Sequence, residues 1–119
     1  MKTIFPVILL LNIALSQVAG PTLNTPSNGA TGIDKTSTIR LDWSVVYNVG
    51  YYKVQVQNND AFSNPTVNEK PDASRYNIPA NTLDYNTQYH WRVRGHHTSG
   101  PWDGYPTLWS SIFLSLIHI

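Results

Sequence analysis

Cysteine is absent from the 119-residue sequence, charged residues make up only 13% of it, and the formal net charge is +1. Without cysteine the chain has no disulfide, no thiolate metal site, no cysteine nucleophile and no thiol for a bacterial lipid anchor. It also lacks an N-glycosylation acceptor, because proline interrupts Asn64-Pro65-Thr66. An Arg-Gly-Asp adhesion loop is missing too, the nearest tripeptide being Arg94-Gly95-His96. No Gly-x-Ser-x-Gly nucleophile elbow and no Asp-x-Asp calcium run occur. A nearly neutral chain is a poor nucleic-acid binder, since that affinity comes from clustered Lys and Arg neutralising phosphates. At 41% hydrophobic residues with balanced charge, disorder is also excluded.

What is present begins with two unusual ends. Residues 1–20 read as a secretory signal peptide. Lys2 gives the positive start, Ile4 to Leu15 the apolar stretch, and Ala14/Ser16 or Val18/Gly20 the small residues of a cleavage site. A bilayer span needs about 20 apolar residues, and Gln17 and Gly20 stop this run early. The expected product is therefore secreted, at the cell surface or periplasmic, without membrane insertion after cleavage. Losing Lys2 would leave the remainder neutral. At the other end, residues 114–119, Leu-Ser-Leu-Ile-His-Ile, match a translated frame of a common transposase-based sequencing adapter. They are expected to be a non-native tail; the alternative is a genuine last strand, since Leu116, Ile117 and Ile119 are apolar.

Residues 21–113 carry the fold. Proline and glycine recur, and no long stretch repeats apolar residues at helical spacing. Alternation with a period of two is clear instead. Ile39, Leu41 and Trp43 alternate with polar neighbours, as do Tyr52, Val54 and Val56, and Tyr89, Trp91 and Val93. Such runs are strands with one buried and one wet face. Shorter strands are expected at Thr22–Leu23, Thr66–Asn68, Arg75–Ile78 and Trp109–Phe113. Turn chemistry separates them at Asn28-Gly29, Thr31-Gly32, Asn48-Val49-Gly50, Asn58-Asn59-Asp60 and Ser99-Gly100-Pro101. Closely spaced strands without helices predict an all-β antiparallel two-sheet sandwich.

The order of motifs resembles the fibronectin type III domain, in the form common in secreted bacterial proteins. "PTLNTPSNGATGI" is similar to its opening edge strand and turn, "LDW" to its second strand, and "YYKVQVQNNDAFS" to its third strand and following turn. "YNIPANTLDYNTQYHWRVRG" is similar to the passage between its fifth and sixth strands. There Leu83 precedes Tyr89 by the spacing of the family's tyrosine corner. "SGPWDGYPTLWSS" resembles the following loop and the start of the last strand. The resemblance implies a seven-stranded immunoglobulin-like β-sandwich with no catalytic apparatus and no cofactor. Its role would be a spacer or interaction module whose partners are other domains of a larger protein, or an extracellular protein or polysaccharide. It also places Trp43, Leu83, Tyr89 and Trp91 in structural roles.

Three groups of residues invite chemistry. The acids Asp34, Asp42, Asp60, Glu69, Asp72, Asp84 and Asp103 are scattered, with no pair spaced for acid–base work. His90, His96 and His97 are too few and wrongly phased for a zinc site, adjacent strand residues pointing to opposite faces; solvated positions at a strand end are expected. Lys53, Gln55 and Gln57 form an outward row, most simply a solvated face, with half of an inter-module contact as the alternative that sequence leaves open. The aromatic set is richer. Trp102, Tyr105 and Trp109, with Asp103 or His97 hydrogen-bonding hydroxyls, suggest a glycan-contact surface. Against that stands a packing role, in which Arg92 and Arg94, sharing the outer face of one strand, stack on Trp109. This is similar, incompletely, to the tryptophan–arginine ladder of some receptor modules in the same family.

Overall fold

The computed structural model describes residues 18–117. The signal-peptide reading falls almost entirely on residues 1–17 and, like His118 and Ile119, lies outside the described residues. Eight strands follow in order: β1 Leu23–Thr25, β2 Ala30–Ile33, β3 Ile39–Trp43, β4 Val49–Gln57, β5 Val67–Glu69, β6 Arg75–Ile78, β7 Gln88–His97 and β8 Phe113–Ile117. The described residues contain no helix. A three-stranded sheet of order β1-β3-β6 faces a five-stranded sheet of order β2-β8-β7-β4-β5. This is the expected all-β sandwich.

Period-two alternation accounts for the long strands. In β3, Ile39, Leu41 and Trp43 are buried between more exposed Arg40 and Asp42. Along β7, Tyr89, Trp91, Val93, Gly95 and His97 point inward while His90, Arg92, Arg94 and His96 point outward. These inward rows meet across the sandwich in one core of Leu23, Ile39, Leu41, Trp43, Tyr52, Val54, Val56, Val67, Ile78, Leu83, Tyr89, Trp91, Val93 and Ile117. Trp43 packs edge-on against Tyr52 at 5.6 Å, and Trp91 against Phe113 at 6.0 Å. Leu83 is buried, and the Asp84 backbone N–H donates to the Tyr89 hydroxyl over 2.9 Å. That hydrogen bond pins the turn before β7 to the inside of the sandwich. A core void of about 20 Å³ remains among Pro26, Leu41, Trp91 and Ile117, far below the roughly 300–1,000 Å³ of small-molecule sites.

The structure corrects several expectations. The seven-strand count is approximately met, the described residues forming eight strands. The extra strand, β2, contains Thr31-Gly32, which reads as a turn in sequence. Gly32 adopts φ 70°, and the β2–β8 register shifts around it. β2 runs parallel to β8, so the sandwich is not wholly antiparallel. β1 and β2 divide the opening edge between the two sheets, on either side of the cis Thr25-Pro26 bond. The final strand, expected over 109–113, instead starts at Phe113 and runs to Ile117. The boundary placed after Phe113 thus falls inside a strand. Ser115 and Ile117 are buried, and β8 pairs with both β7 and β2. Burial responds to the apolar alternation of these residues, whatever their origin.

Candidate functional site

The features that a partner could touch cluster around β7, at its C-terminal end and on its outward face. At that end the 44–48 loop and the 98–112 segment are tied together. Thr98 N–H donates to the Asn48 carbonyl over 3.0 Å, and Ser99 Oγ to Asn48 Oδ1 over 3.2 Å. Asn48 itself adopts φ 63°, a left-handed conformation that asparagine tolerates better than most residues.

Residues 100–105 form a tight turn. Asp103 N–H donates to the Gly100 carbonyl, Tyr105 N–H to Trp102, and Gly104 N–H to His97, over 2.8–3.2 Å. Gly104 has φ 87°, which demands glycine at this point. The turn folds Trp102 against His97, with ring centroids 6.0 Å apart. His97 is 4% exposed and Trp102 half-buried, so the turn covers the C-terminal end of the inward row of β7. The expectation that His97 is solvated and free to bind hydroxyls is therefore corrected. It falls at an inward position of the pleat, in the same phase as Trp91 and Val93. Tyr105 is 59% exposed, and Asp103 is exposed beside it.

Beyond the turn, the chain runs alongside β7 with hydroxyl groups taking part in the pairing. Thr107 N–H donates to the Gly95 carbonyl, and Gly95 N–H to Thr107 Oγ1 over 3.0 Å. Ser110 repeats the pattern with Val93. This irregular pairing explains why residues 109–112 fall outside the regular strand. The outer edge of the same stretch is covered by residues 18–20. Leu108 N–H donates to the Val18 carbonyl, and a Cβ on Gly20 would come within 2.5 Å of the Leu108 carbonyl oxygen.

On the outward face, the Arg92 guanidinium lies 3.8 Å from the Trp109 ring centroid and 4.3 Å from that of Phe62. The Arg94 guanidinium is 4.5 Å from the same Trp109 ring. Arg92 also donates from Nε and Nη2 to Gln55 Oε1 over 3.0 and 2.8 Å. Phe62 takes φ 52°, unusual for a bulky residue, and is 6% exposed beneath the arginine. Gln57 Oε1 accepts from Asn64 N–H. The outer row is consequently not solvated as expected: Gln55 and Gln57 are buried, because the 58–66 loop folds back across them.

Trp102 and Trp109 thus lie on opposite sides of β7, one against inward His97 and the other against outward arginines. The structure brings Trp102, Asp103 and Tyr105 into one turn and sets Trp109 apart from them. Phe62 was not singled out by the sequence, and its partner Arg92 lies far away along the chain. His97 was legible in principle, because it extends the inward row of β7.

His96, outward and half-buried, stacks flat on Tyr51 with ring centroids 4.6 Å apart and an interplanar angle of 5°. Burial lowers its pKa from the ordinary value of 6.5, and Arg94, Lys70, Lys53 and His97 lower it further. The folded protein therefore prefers neutral His96 more strongly than the unfolded chain does. This contribution to stability is complete above pH 6.5 and is lost as pH falls through the ordinary histidine pKa towards the folded one. Thermal melts at descending pH are expected to show this loss, and His96→Gln to flatten it. An unchanged slope in the variant would place the acid sensitivity elsewhere.

No protein-family model matches the chain, and comparison with curated protein sequences gives no match. Solved structures do match. An Fn3-like protein from Clostridium thermocellum aligns with a TM-score of 0.56 at 16% identity, over 83% of this chain and 92% of that one. An α-L-rhamnosidase from Dictyoglumus thermophilum gives 0.66 at 14% identity, and a β-1,2-glucanase from Parabacteroides distasonis 0.59 at 13%. Each of these covers 87% of this chain but only 13% of the enzyme. The sheet topology and these likenesses together define a fibronectin type III-like sandwich fold.

Proposed function

We propose that the chain is a non-catalytic extracellular module, a spacer or protein-interaction unit of a larger secreted or surface protein. One observation carries this reading. The same fold occupies nearly a whole Fn3-like chain yet only 13% of two much larger enzymes, the mark of a unit that is appended to other domains. The closed core agrees with it, since partners must then be met on loops and faces. The partners would be neighbouring domains of the parent protein. We retain residues 114–119 as a non-native tail within this proposal. The native continuation would then need to keep inward side chains at positions 115 and 117.

A second reading, a glycan-binding accessory module of a secreted carbohydrate-active enzyme, is favoured by exposed Tyr105 and Asp103 in one turn with Trp102. It also draws on the two glycan-processing enzymes among the structural neighbours. Purified full-length chain applied to an array of neutral glycans, and incubated with sugar and ester substrates, separates these readings. Neither retention nor hydrolysis is expected. Retention lost in Tyr105→Ala would favour the accessory module, and turnover of any substrate would overturn the non-catalytic reading.

A further inference from the structure

The outward face of β7 and β4 carries an electrostatic arrangement that folding alone does not favour. Lys53 on β4 is directly opposite Arg94 on β7. Like charges placed directly across an antiparallel pair repel and destabilise the sheet. Arg92 stands two residues before Arg94 on the same face. Among the described residues, no acidic side chain lies within ion-pair distance of Lys53, Lys70, Arg92 or Arg94; the Arg40–Asp42 pair is on the other sheet. Lys70 follows Glu69, which pairs with Val54, so the antiparallel register carried one residue further sets Lys70 beside Lys53. In a chain whose formal net charge is +1, an unneutralised cluster on one face is a local excess.

The cluster is also held in place. Stacking on Trp109 and Phe62, together with the hydrogen bonds to Gln55, immobilises Arg92, and Trp109 also seats Arg94. Arg94 Nε is buried without a protein acceptor. Tyr51, flat on His96, sets an aromatic surface beside Lys53 on the same sheet. Fixed cations interleaved with flat rings suit a chain of sugars bearing carboxylates: the rings meet the C–H faces, and the guanidinium and ammonium groups meet the acids.

We propose that this face, built from Tyr51, Lys53, Lys70, Arg94 and His96 on the Arg92–Trp109 support, binds an acidic polysaccharide whose carboxylates supply the missing counter-charges. It is a different surface from the Trp102–Tyr105 turn and calls for a charged rather than a neutral glycan.

Titration calorimetry of the full chain with polygalacturonate tests this, with a neutral polymer (pullulan) and poly-glutamate in parallel. Binding to polygalacturonate is expected to weaken steeply with added salt, pullulan to give no heat, and poly-glutamate to bind more weakly. The double variant Lys53→Gln/Lys70→Gln, which leaves the arginine stack intact, is expected to lose about tenfold or more in affinity. Lys53→Glu should abolish binding while raising the melting temperature, because it replaces a repulsive cross-strand pair with an attractive one. Absence of polygalacturonate binding would overturn the proposal, as would full affinity in the folded double variant. Equal or tighter binding of poly-glutamate would overturn the polysaccharide and assign the face to an acidic peptide.

Discussion

Deleting residues 114–119 is expected to abolish cooperative folding. The deletion removes nearly all of β8, the one strand that pairs with β2 among the described residues, and three of the four register pairs that β8 shares with β7. Ile117, 2% exposed in the core, goes with it. Loss of a buried isoleucine costs about 2–5 kcal/mol even when only truncated to alanine. Several anchoring hydrogen bonds are lost as well: Gly29 N–H to the Leu114 carbonyl, Asn86 N–H to the Ile117 carbonyl, and Ile117 N–H to the Thr87 carbonyl. Each contributes about 0.5–1.5 kcal/mol. Domains of this size have a net stability of only about 5–15 kcal/mol, so the combined loss is of the same size as the whole. Circular dichroism against temperature should show no sigmoidal transition for the deletion variant, while Ile117→Ala still melts cooperatively at lower temperature. A deletion variant that melts like the intact chain would show that β8 contributes nothing to the fold. Replacing 114–119 by another alternating apolar sequence should restore the transition, whichever residues are native.

The second large effect is expected at Trp109. Its ring meets two guanidiniums, those of Arg92 and Arg94, at 3.8 and 4.5 Å. Cation–π contacts of this kind contribute about 0.5–2 kcal/mol each. Trp109→Ala removes both and loosens Arg92 from Gln55 and Phe62. A loss of about 2–4 kcal/mol follows, read as a lower urea midpoint with an unchanged slope. Trp109→Phe should recover part of it, because a smaller ring still offers a face to the guanidiniums. Arg92→Lys should recover little: an ammonium cannot stack as a plane or make the forked contact to one amide oxygen. A Trp109→Ala variant as stable as the parent would show that the stack is an accident of the surface rather than a support for the β7 face.

Much of the sandwich was readable from local chemistry. The alternations around Trp43, Val54 and Trp91 mark β3, β4 and β7 because a strand between core and solvent must repeat every second residue. The same parity puts Arg92 and Arg94 on one outward face, and the spacing of Leu83 and Tyr89 brings the hydroxyl back to the turn. Parity misleads where it is applied without its cover. Gln55 and Gln57 are polar and outward, yet the folded-back 58–66 loop buries them. Gly32 reads as a turn residue, although positive φ is also what a bulged edge strand uses. The hydroxyl-mediated pairing at Thr107 and Ser110 displaces the last strand from where its aromatic residues suggest.

For this protein, sequence by itself determined the strand class, the inward rows of β3, β4 and β7 and the absence of cysteine chemistry. Those properties depend on residue type and on spacing within a dozen positions. Only the tertiary structure decided that Phe62 caps Arg92, that Trp102 covers inward His97 while Trp109 lies on the outward arginines, and that Lys53 faces Arg94 without a counter-charge. Each of these joins residues from separate strands and loops. Their meeting is set by sheet register and by which loop folds over which face, and neither is encoded in any one stretch of the chain.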